Sequence, residues 1–347
     1  MGKDIVGALR QAMSAARGLD FSGAAASLRI ALGDSLPPVV PASRPDARRQ
    51  SLGQVVADLA GRPMPVPLAP PPGLEPRSFE CAAGRRNYRL FVPPGPVEGL
   101  ILMLHGCLQT PEDFAVGTGM NALAADRGLV VAWPEQETPH NARHCWSWFE
   151  PEHQQRGAGE PAILAGLATA LAAEFGVPPS RVFVAGLSAG GSMAAVLGEG
   201  YPDIFAAVGV HSGLACGTAH DARSAIAAMR GAPAAARPLA PGDHAPRVIV
   251  FQGTSDAVVH PMNADRLAAR ACALAGVRPS REGHTSFGDR AIGRSVARGP
   301  DGQPIVELWM IEGTGHAWSG GRKAGSFTDP AGPDASAEMV RFFLAAG

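Results

Sequence analysis

The sequence predicts an α/β fold with an open, mostly parallel central sheet flanked by helices. Four segments, ILMLH, LVVAW, VFVAG and VIVFQ, are continuous apolar runs, which is typical of strands buried on both faces of a parallel sheet. Segments with helical periodicity separate these runs, so that strands and helices alternate through residues 79–347. Such alternation favours one α/β domain, whose ligands bind beyond the carboxyl ends of the strands.

Two accessory segments are predicted before this domain. Apolar residues at helical spacing indicate a helical hairpin over residues 1–33. We expect the hairpin to pack on the main domain, and the alternative is a docking element through which the chain forms a homo-oligomer. Residues 34–78 contain 11 prolines, which predicts an extended, proline-rich linker. The expected organisation is therefore a hairpin, a linker and an α/β domain.

The elements of the α/β domain follow from the apolar pattern. The predicted strands are Tyr88–Val92, Gly99–Leu104, Leu129–Trp133, Arg181–Ala185, Ala206–Val210, Arg247–Phe251 and Ile305–Ile311. The predicted helices are Asp113–Asp126, Pro161–Phe175, Gly191–Glu199, Asn263–Ala275 and Ala335–Leu344. Residues that directly follow a strand are the candidates for a site, because the carboxyl ends of parallel strands share one edge of the sheet.

Composition and charge exclude several classes of function. The chain has 347 residues, a formal net charge of -1 and only 18% charged residues. Nucleic acid is not an expected partner, because binding it depends on neutralising phosphates with basic residues. No apolar run approaches the ~18 residues of a membrane span, and none follows Lys3 as it would in a secretory leader. We therefore expect a cytoplasmic location, with an extracellular location as the alternative.

The segment after the VFVAG strand carries the candidate nucleophile. Gly186-Leu187-Ser188-Ala189-Gly190 matches the pattern G-x-S-x-G and is followed by a predicted helix. On such a turn, small residues at both ends let the strand and the helix approach while the serine hydroxyl points above the sheet. The alternative is a glycine-rich turn in which the serine only caps the helix. The strand before and the helix after favour Ser188 as the nucleophile.

The loops after two later strands carry the candidate acid and base. A serine hydroxyl needs a base to accept its proton, and the imidazole needs a third group to fix its tautomer. Asp256 follows the VIVFQ strand and His316 follows the last strand, in the order Ser, acid, His that this architecture uses. Asp265, His260 and His284 are rivals, but Asp265 lies inside a predicted helix and neither rival histidine directly follows a strand.

The loop after the first central strand carries the candidate oxyanion hole. The segment HGCLQ, residues 105–109, follows the strand ILML. In this type of fold one oxyanion donor comes from this early loop and the other from the residue after the nucleophile. The sequence therefore predicts the backbone N–H groups of Cys107 and Ala189 as the donors, with His105 as a buried polar brace.

The cysteines and tryptophans predict the surroundings of the nucleophile. The five cysteines show no spacing typical of a metal site, and the chemistry needs neither a metal nor an organic cofactor. A Cys107–Cys145 disulfide would hold the oxyanion loop against an aromatic loop, and two buried free thiols are the alternative. Flat apolar side chains suit an acyl chain or an aromatic ester. The residues predicted to contact substrate are Trp146, Trp148, Trp318 and Gln109, and the alternative is that at least one of the tryptophans simply packs under the loop.

Five segments, taken in order, resemble the esterase family of poly(3-hydroxybutyrate) depolymerases, which is related to feruloyl and acetylxylan esterases. They are LHGCLQ (104–109), CWSWF (145–149), GLSAGG (186–191), GTSDAVV (253–259) and GHAWSGG (315–321). The resemblance covers residues 79–347. It implies an α/β-hydrolase fold, a Ser188–Asp256–His316 triad, the Cys107 amide in the oxyanion hole, and hydrolysis of hydroxyalkanoate esters.

These observations together predict a serine carboxylester hydrolase that works through an acyl-enzyme. The expected substrates are poly- or oligo-(3-hydroxybutyrate)-type esters or short-chain esters, and the alternative is a carbohydrate esterase of the feruloyl or acetylxylan type. The predicted catalytic domain runs to Gly347 without a recognisable substrate-binding module, so we expect action on oligomers, amorphous polymer or small esters rather than crystalline polymer. A catalytically silent binding protein is the alternative class, and the intact set of triad residues argues against it.

Overall fold

The structure, a computed structural model, describes residue 69 and residues 71–233 and 245–345. The predicted helical hairpin, residues 1–33, and residues 34–68 of the predicted linker lie outside the described residues. The first described strand begins at Leu74, inside the segment predicted as linker. The sheet therefore starts before the predicted domain boundary.

Ten strands form one sheet, in the spatial order β1-β2-β4-β3-β5-β6-β7-β10-β9-β8. The strands are β1 (Leu74–Cys81), β2 (Gly84–Phe91), β3 (Gly99–Leu104), β4 (Leu129–Pro134), β5 (Val182–Leu187), β6 (Ala207–His211), β7 (Arg247–Gly253), β8 (Pro279–Phe287), β9 (Arg290–Arg298) and β10 (Pro304–Ile311). The six central strands pair in parallel and are, in spatial order, β4, β3, β5, β6, β7 and β10. The strands on both flanks pair antiparallel. Two short strands, β11 (Trp318–Ser319) and β12 (Thr328–Asp329), form a separate parallel pair.

Helices cover both faces of the sheet. They are α1 (Pro111–Thr118), α2 (Met120–Arg127), α3 (Gly159–Phe175), α4 (Ala189–Gly200), α5 (Ala222–Met229), α6 (Met262–Ala275) and α7 (Ala335–Leu344). Side chains alternate across β3, so that Leu100 packs in a core with α3, α4 and α6, and Ile101 packs in a second core with α1, α2 and α7. Of the helices in the described part of the chain, none is both long and apolar enough to cross a membrane.

The structure differs from the predicted elements where the apolar signal is weak. Strands β1, β8 and β9 were not predicted. Most residues of β1 and β9 are half-buried or exposed, and neither strand contains a continuous apolar run. Strand β8 is a polar strand at the edge of the sheet. Helix α5 was also missed; it begins at a capping box formed by Asp221 and Ser224. The single helix predicted over Asp113–Asp126 is broken at Gly119, whose φ of +64° belongs to the left-handed region.

Candidate active site

Ser188 lies on the turn that joins β5 to α4. Its φ of 57° and ψ of -118° are strained values for a residue with a side chain. A Cβ atom at Gly190 would lie 2.5 Å from the carbonyl oxygen of His105 and closer still to that of Leu104, so only glycine lets this turn pack against β3. The Ser188 side chain makes no capping hydrogen bond to α4. The turn therefore presents a serine that does not serve as a helix cap.

Backbone strain is concentrated around this turn. Five non-glycine residues have positive φ in the described ranges: Leu108, His144, Ser188, Ser212 and Phe327. They lie after β3, after β4, after β5, after β6 and before β12, so that four of the five belong to loops at the carboxyl ends of the parallel strands. Strained residues of this kind persist where the surrounding structure holds them, which is common at functional sites.

The loops after β7 and β10 bring Asp256 and His316 together. The His316 Nδ1 donates to Asp256 Oδ2 over 2.8 Å. The other carboxylate oxygen accepts the N–H groups of Val258 and Val259 at 2.9 and 2.8 Å, and the Gln252 amide donates to Oδ2 at 3.0 Å. Burial opposes the charge on Asp256, but His316 and the N–H groups of Val258 and Val259 outweigh it and hold the pKa of the carboxyl below its ordinary value.

The structure does not join His316 to Ser188 directly. Among the described residues, none forms a hydrogen bond with Ser188 Oγ or with the Nε2 of His316. Hydrogen bonds between a nucleophile and its base are often long in the free enzyme and tighten when substrate binds. The rival acid Asp265 lies in the first turn of α6, and the rival base His260 uses its Nδ1 to accept the N–H of Met262.

Two backbone donors belong to residues at the same edge of the sheet. Ala189 is the first residue of α4, so its N–H has no acceptor within the helix. Cys107 lies in the loop between β3 and α1, and no residue in the described ranges accepts its N–H. The hydrogen bonds of the helix and the loop therefore leave both N–H groups that are predicted as oxyanion donors available.

The loop that carries Cys107 is clamped by residues 143–146. A disulfide joins Cys107 to Cys145, with their Cα atoms 4.3 Å apart. The N–H of Leu108 donates to the Arg143 carbonyl at 2.8 Å, and the indole of Trp146 donates to the His105 carbonyl at 3.1 Å. We call residues 143–146 the oxyanion-loop clamp.

His105 braces the same loop from inside the protein. Its Nε2 accepts the N–H of Gln136 at 3.1 Å, and its Nδ1 lies 2.8 Å from the Gly106 carbonyl. Because Nε2 accepts, the proton of the neutral ring lies on Nδ1 and is donated to that carbonyl. Burial lowers the pKa of His105 to about 4, so the ring stays neutral at pH 7. This agrees with the interpretation of His105 as a polar brace.

All four residues predicted to contact substrate are buried. Trp146, Trp318 and Gln109 are 0%, 1% and 1% exposed, so they present no surface to a substrate. Trp318 donates to Ser336 Oγ at 3.0 Å and stacks on a neighbouring histidine ring. The fourth residue, Trp148, is 6% exposed and packs edge-on against Phe149.

Gln109 supports the oxyanion loop rather than the substrate. Its Oε1 accepts the N–H of Gly106 at 2.9 Å. Its Nε2 donates to the buried carboxylate of Asp113 at 2.9 Å and to the Ser326 carbonyl at 3.2 Å. Sequence reasoning missed Asp113 and Ser326, because neither directly follows a strand of the large sheet. The side chain of Gln109 therefore ties the oxyanion loop to the segment before β12.

Residues 86–286, more than half of the chain, match the family model of esterase PHB depolymerases. The chain belongs to this family. It is similar to poly(3-hydroxyalkanoate) depolymerase C of Paucimonas lemoignei, with 31% identity over 244 residues that cover 66% of this chain and 58% of that protein. The poly(3-hydroxybutyrate) depolymerase of Ralstonia pickettii is 36% identical over 133 residues, which cover 36% of this chain and 27% of that protein. The family member described here thus spans less than two thirds of the length of either depolymerase.

Relatives outside the depolymerases are also similar to this family member. Feruloyl esterase B of Thermothelomyces thermophilus is 28% identical over 201 residues, which cover 53% of this chain and 67% of that protein. The solved acetyl xylan esterase from Aspergillus awamori has a TM-score of 0.57 at 20% identity, and covers 67% of this chain and 89% of that chain. At this identity the structural likeness shows the fold alone, and it confirms the predicted α/β-hydrolase fold.

Proposed function

We propose that the protein is a serine carboxylester hydrolase that works through an acyl-enzyme. The observation that carries the proposal is the 2.8 Å hydrogen bond from His316 to the buried Asp256, at the same edge of the sheet as the strained Ser188. The carboxylate keeps the imidazole proton on Nδ1, which leaves Nε2 as the basic nitrogen. Membership of an esterase family supports the same reaction class.

In the first half-reaction Ser188 Oγ attacks the ester carbonyl carbon while His316 Nε2 accepts the hydroxyl proton. The carbonyl oxygen becomes an oxyanion, for which the N–H groups of Cys107 and Ala189 are the proposed donors. His316 then returns the proton to the leaving alkoxide, the bond to the alcohol breaks, and the acyl group remains on Ser188.

The second half-reaction releases the acid by the same groups. A water molecule takes the position of the alcohol and gives its proton to His316 Nε2 as its oxygen attacks the acyl carbon. The oxyanion forms again at the two backbone donors. When it collapses, the bond to Ser188 Oγ breaks and His316 returns the proton to the serine, so that the enzyme is regenerated without a metal or organic cofactor.

For the substrate we propose poly- or oligo-(3-hydroxybutyrate)-type esters or short-chain esters. The support is the family and the two depolymerases that the chain resembles. A carbohydrate esterase of the feruloyl or acetylxylan type is the second candidate, because the match to feruloyl esterase B extends over 67% of that protein.

The test compares the full chain with its Ser188→Ala variant on p-nitrophenyl butyrate. We expect kcat to fall by a factor of at least about 10³, because the covalent step is lost. Ser180→Ala, an exposed serine at the amino end of β5, is the matched control and keeps wild-type kcat. Full hydrolysis by Ser188→Ala would refute the mechanism.

A substrate panel separates the two candidates. It contains hydroxybutyrate oligomers, amorphous polymer granules, methyl ferulate and acetylated xylan, each with the Ser188→Ala blank. Turnover of the oligomers supports the depolymerase-type substrate. Turnover of methyl ferulate without turnover of the oligomers favours the carbohydrate esterase.

A further inference from the structure

His211, at the end of β6, contacts both halves of the candidate site. Its backbone carbonyl accepts the N–H of Ser188 at 2.9 Å. Its ring Nε2 accepts the N–H of Ser319 at 3.0 Å, in β11, three residues after His316. A single residue therefore bonds the main chain of the nucleophile turn and the main chain of the loop that carries His316.

The imidazole of His211 is held in one orientation. It is fully buried and stacks between Phe251 and Trp318, with ring centroids 5.9 and 5.2 Å away. Its Nδ1 lies 3.1 Å from Ser212 Oγ. Because Nε2 accepts from Ser319, the ring proton lies on Nδ1 and is donated to that hydroxyl.

The ring remains an acceptor at neutral pH. Burial, and then the nearby His316, lower the pKa of His211 to about 3. Both ring nitrogens are occupied by these two hydrogen bonds, so neither is left to exchange a proton with substrate. His211 thus acts on the site only through the groups it holds.

Loss of the ring acceptor would release the main chain of the loop that carries His316. Ser319 is fully buried, so its N–H would have no water to replace His211 Nε2, and an unpaired buried donor is costly. The local way to relieve this cost is to move β11 and the preceding loop with it. Displacement of a reacting group by about 1 Å is enough to slow an enzyme by about 100-fold.

We propose that His211 is a positioning residue that sets the separation of Ser188 and His316 by holding the main chain on both sides. This inference rests on the proposed function, because it assigns His211 a role in proton transfer between those two residues. The role predicts a loss of kcat with little change in KM, since the bonds to His211 orient the reacting groups rather than the substrate.

The experiment compares three substitutions of His211 in the full chain. His211→Phe keeps a flat ring for the stack but removes both ring hydrogen bonds. His211→Gln puts an amide group near the position of Nε2, whereas His211→Asn reaches only the position of Nδ1. Phe343→Leu is the matched control, because it disturbs another buried aromatic stack, with Phe183 at 4.9 Å, that does not contact the site.

We expect His211→Phe to lower kcat on p-nitrophenyl butyrate by about 10- to 100-fold with KM changed less than about threefold. His211→Gln should recover most of this loss and His211→Asn should not. Phe343→Leu should lower the melting temperature while kcat of the folded enzyme stays at the wild-type value. If His211→Phe does not fold, the comparison of the Gln and Asn variants carries the same test.

Two results would overturn the inference: wild-type kcat in folded His211→Phe, or equal kcat in the Gln and Asn variants. Ser188→Ala is measured alongside. If Ser188→Ala is inactive and His211→Phe is fully active, the positioning role fails and the proposed function stands. If Ser188→Ala is fully active, the proposed function itself fails.

Discussion

Removal of the Cys107–Cys145 disulfide should lower both stability and catalysis, by amounts that can be separated. Cys145→Ala breaks the bond without changing the residue whose N–H is the proposed oxyanion donor. The two cysteines are separated by 38 positions. Closing a loop of that length removes chain entropy from the unfolded state equivalent to about 4 kcal/mol. We expect the free energy of unfolding to fall by up to about this amount.

The loss of activity should be smaller than the loss of a whole oxyanion donor. Without the disulfide, Leu108 still donates to the Arg143 carbonyl and Trp146 still donates to the His105 carbonyl. These hydrogen bonds keep the loop near its place, but Cys107 itself is no longer held directly once the disulfide is removed. Loss of a complete donor costs about 10²–10³ in kcat, so we expect a decrease of about 10-fold for Cys145→Ala. KM should change little, because the donor acts on charge that develops in the transition state.

The assay measures urea unfolding and, at a temperature well below the melting point, kcat and KM on p-nitrophenyl butyrate. Cys272→Ala is the control, because Cys272 is a buried free thiol in α6. Wild-type protein treated with a reducing agent should reproduce the kcat of Cys145→Ala. If Cys145→Ala keeps wild-type kcat while its stability falls, the clamp does not position the oxyanion donor. If its stability changes by less than about 1 kcal/mol, the chain-entropy reasoning is wrong.

Three further outcomes follow from buried groups. The free energy of unfolding should fall as the pH falls from about 6.5 to about 4. Imidazoles of the unfolded chain bind protons near pH 6.5, whereas in the folded protein His105 and His211 bind them only near their lowered pKa values of about 4 and about 3. Urea titrations at stepped pH measure this change, and a flat profile contradicts it. Asp256→Asn should lower kcat by about 10³–10⁴ because the imidazole loses the group that fixes its tautomer; kcat within tenfold of wild type would exclude that role. Gln109→Leu should lower the melting temperature and reduce kcat by about 10-fold, because the N–H of Gly106 loses its acceptor. Steady-state kinetics and a thermal melt test both effects. An unchanged kcat would show that this hydrogen bond does not shape the oxyanion loop.

The parallel centre of the sheet was predictable, whereas its flanks were not. Strands such as β5 are buried at every residue, so each is a continuous apolar run. Strand β9 has three buried residues among half-buried and exposed ones and contains three arginines and a glycine, so it carries no such signal. The Asp256–His316 contact was also within reach of the sequence, because β7 and β10 are parallel neighbours and each residue follows the end of one of them.

The direction in which loop side chains point could not be predicted from the sequence. Trp146 and Trp148 are two positions apart in one loop, and nothing in that spacing shows that both side chains pack in the core. The buried indole of Trp146 has a distant acceptor, the His105 carbonyl. Gln109 likewise takes its role from Asp113 and Ser326, and Ser326 is 217 positions away in the chain. Contacts between distant segments decide such roles, and local patterns do not contain them.

The histidines around the candidate site differ in what their ring nitrogens can still do. His105 and His211 each accept a backbone N–H at Nε2 and are buried enough to stay neutral. His144 contacts the Thr138 hydroxyl and the Gln109 carbonyl through its two nitrogens. His316 has a carboxylate at Nδ1, which stabilises the positive charge that a base acquires. We therefore propose that proton transfer falls to His316 and that the other three histidines hold the loops in place. Substitution of those three should change geometry and stability rather than remove the base.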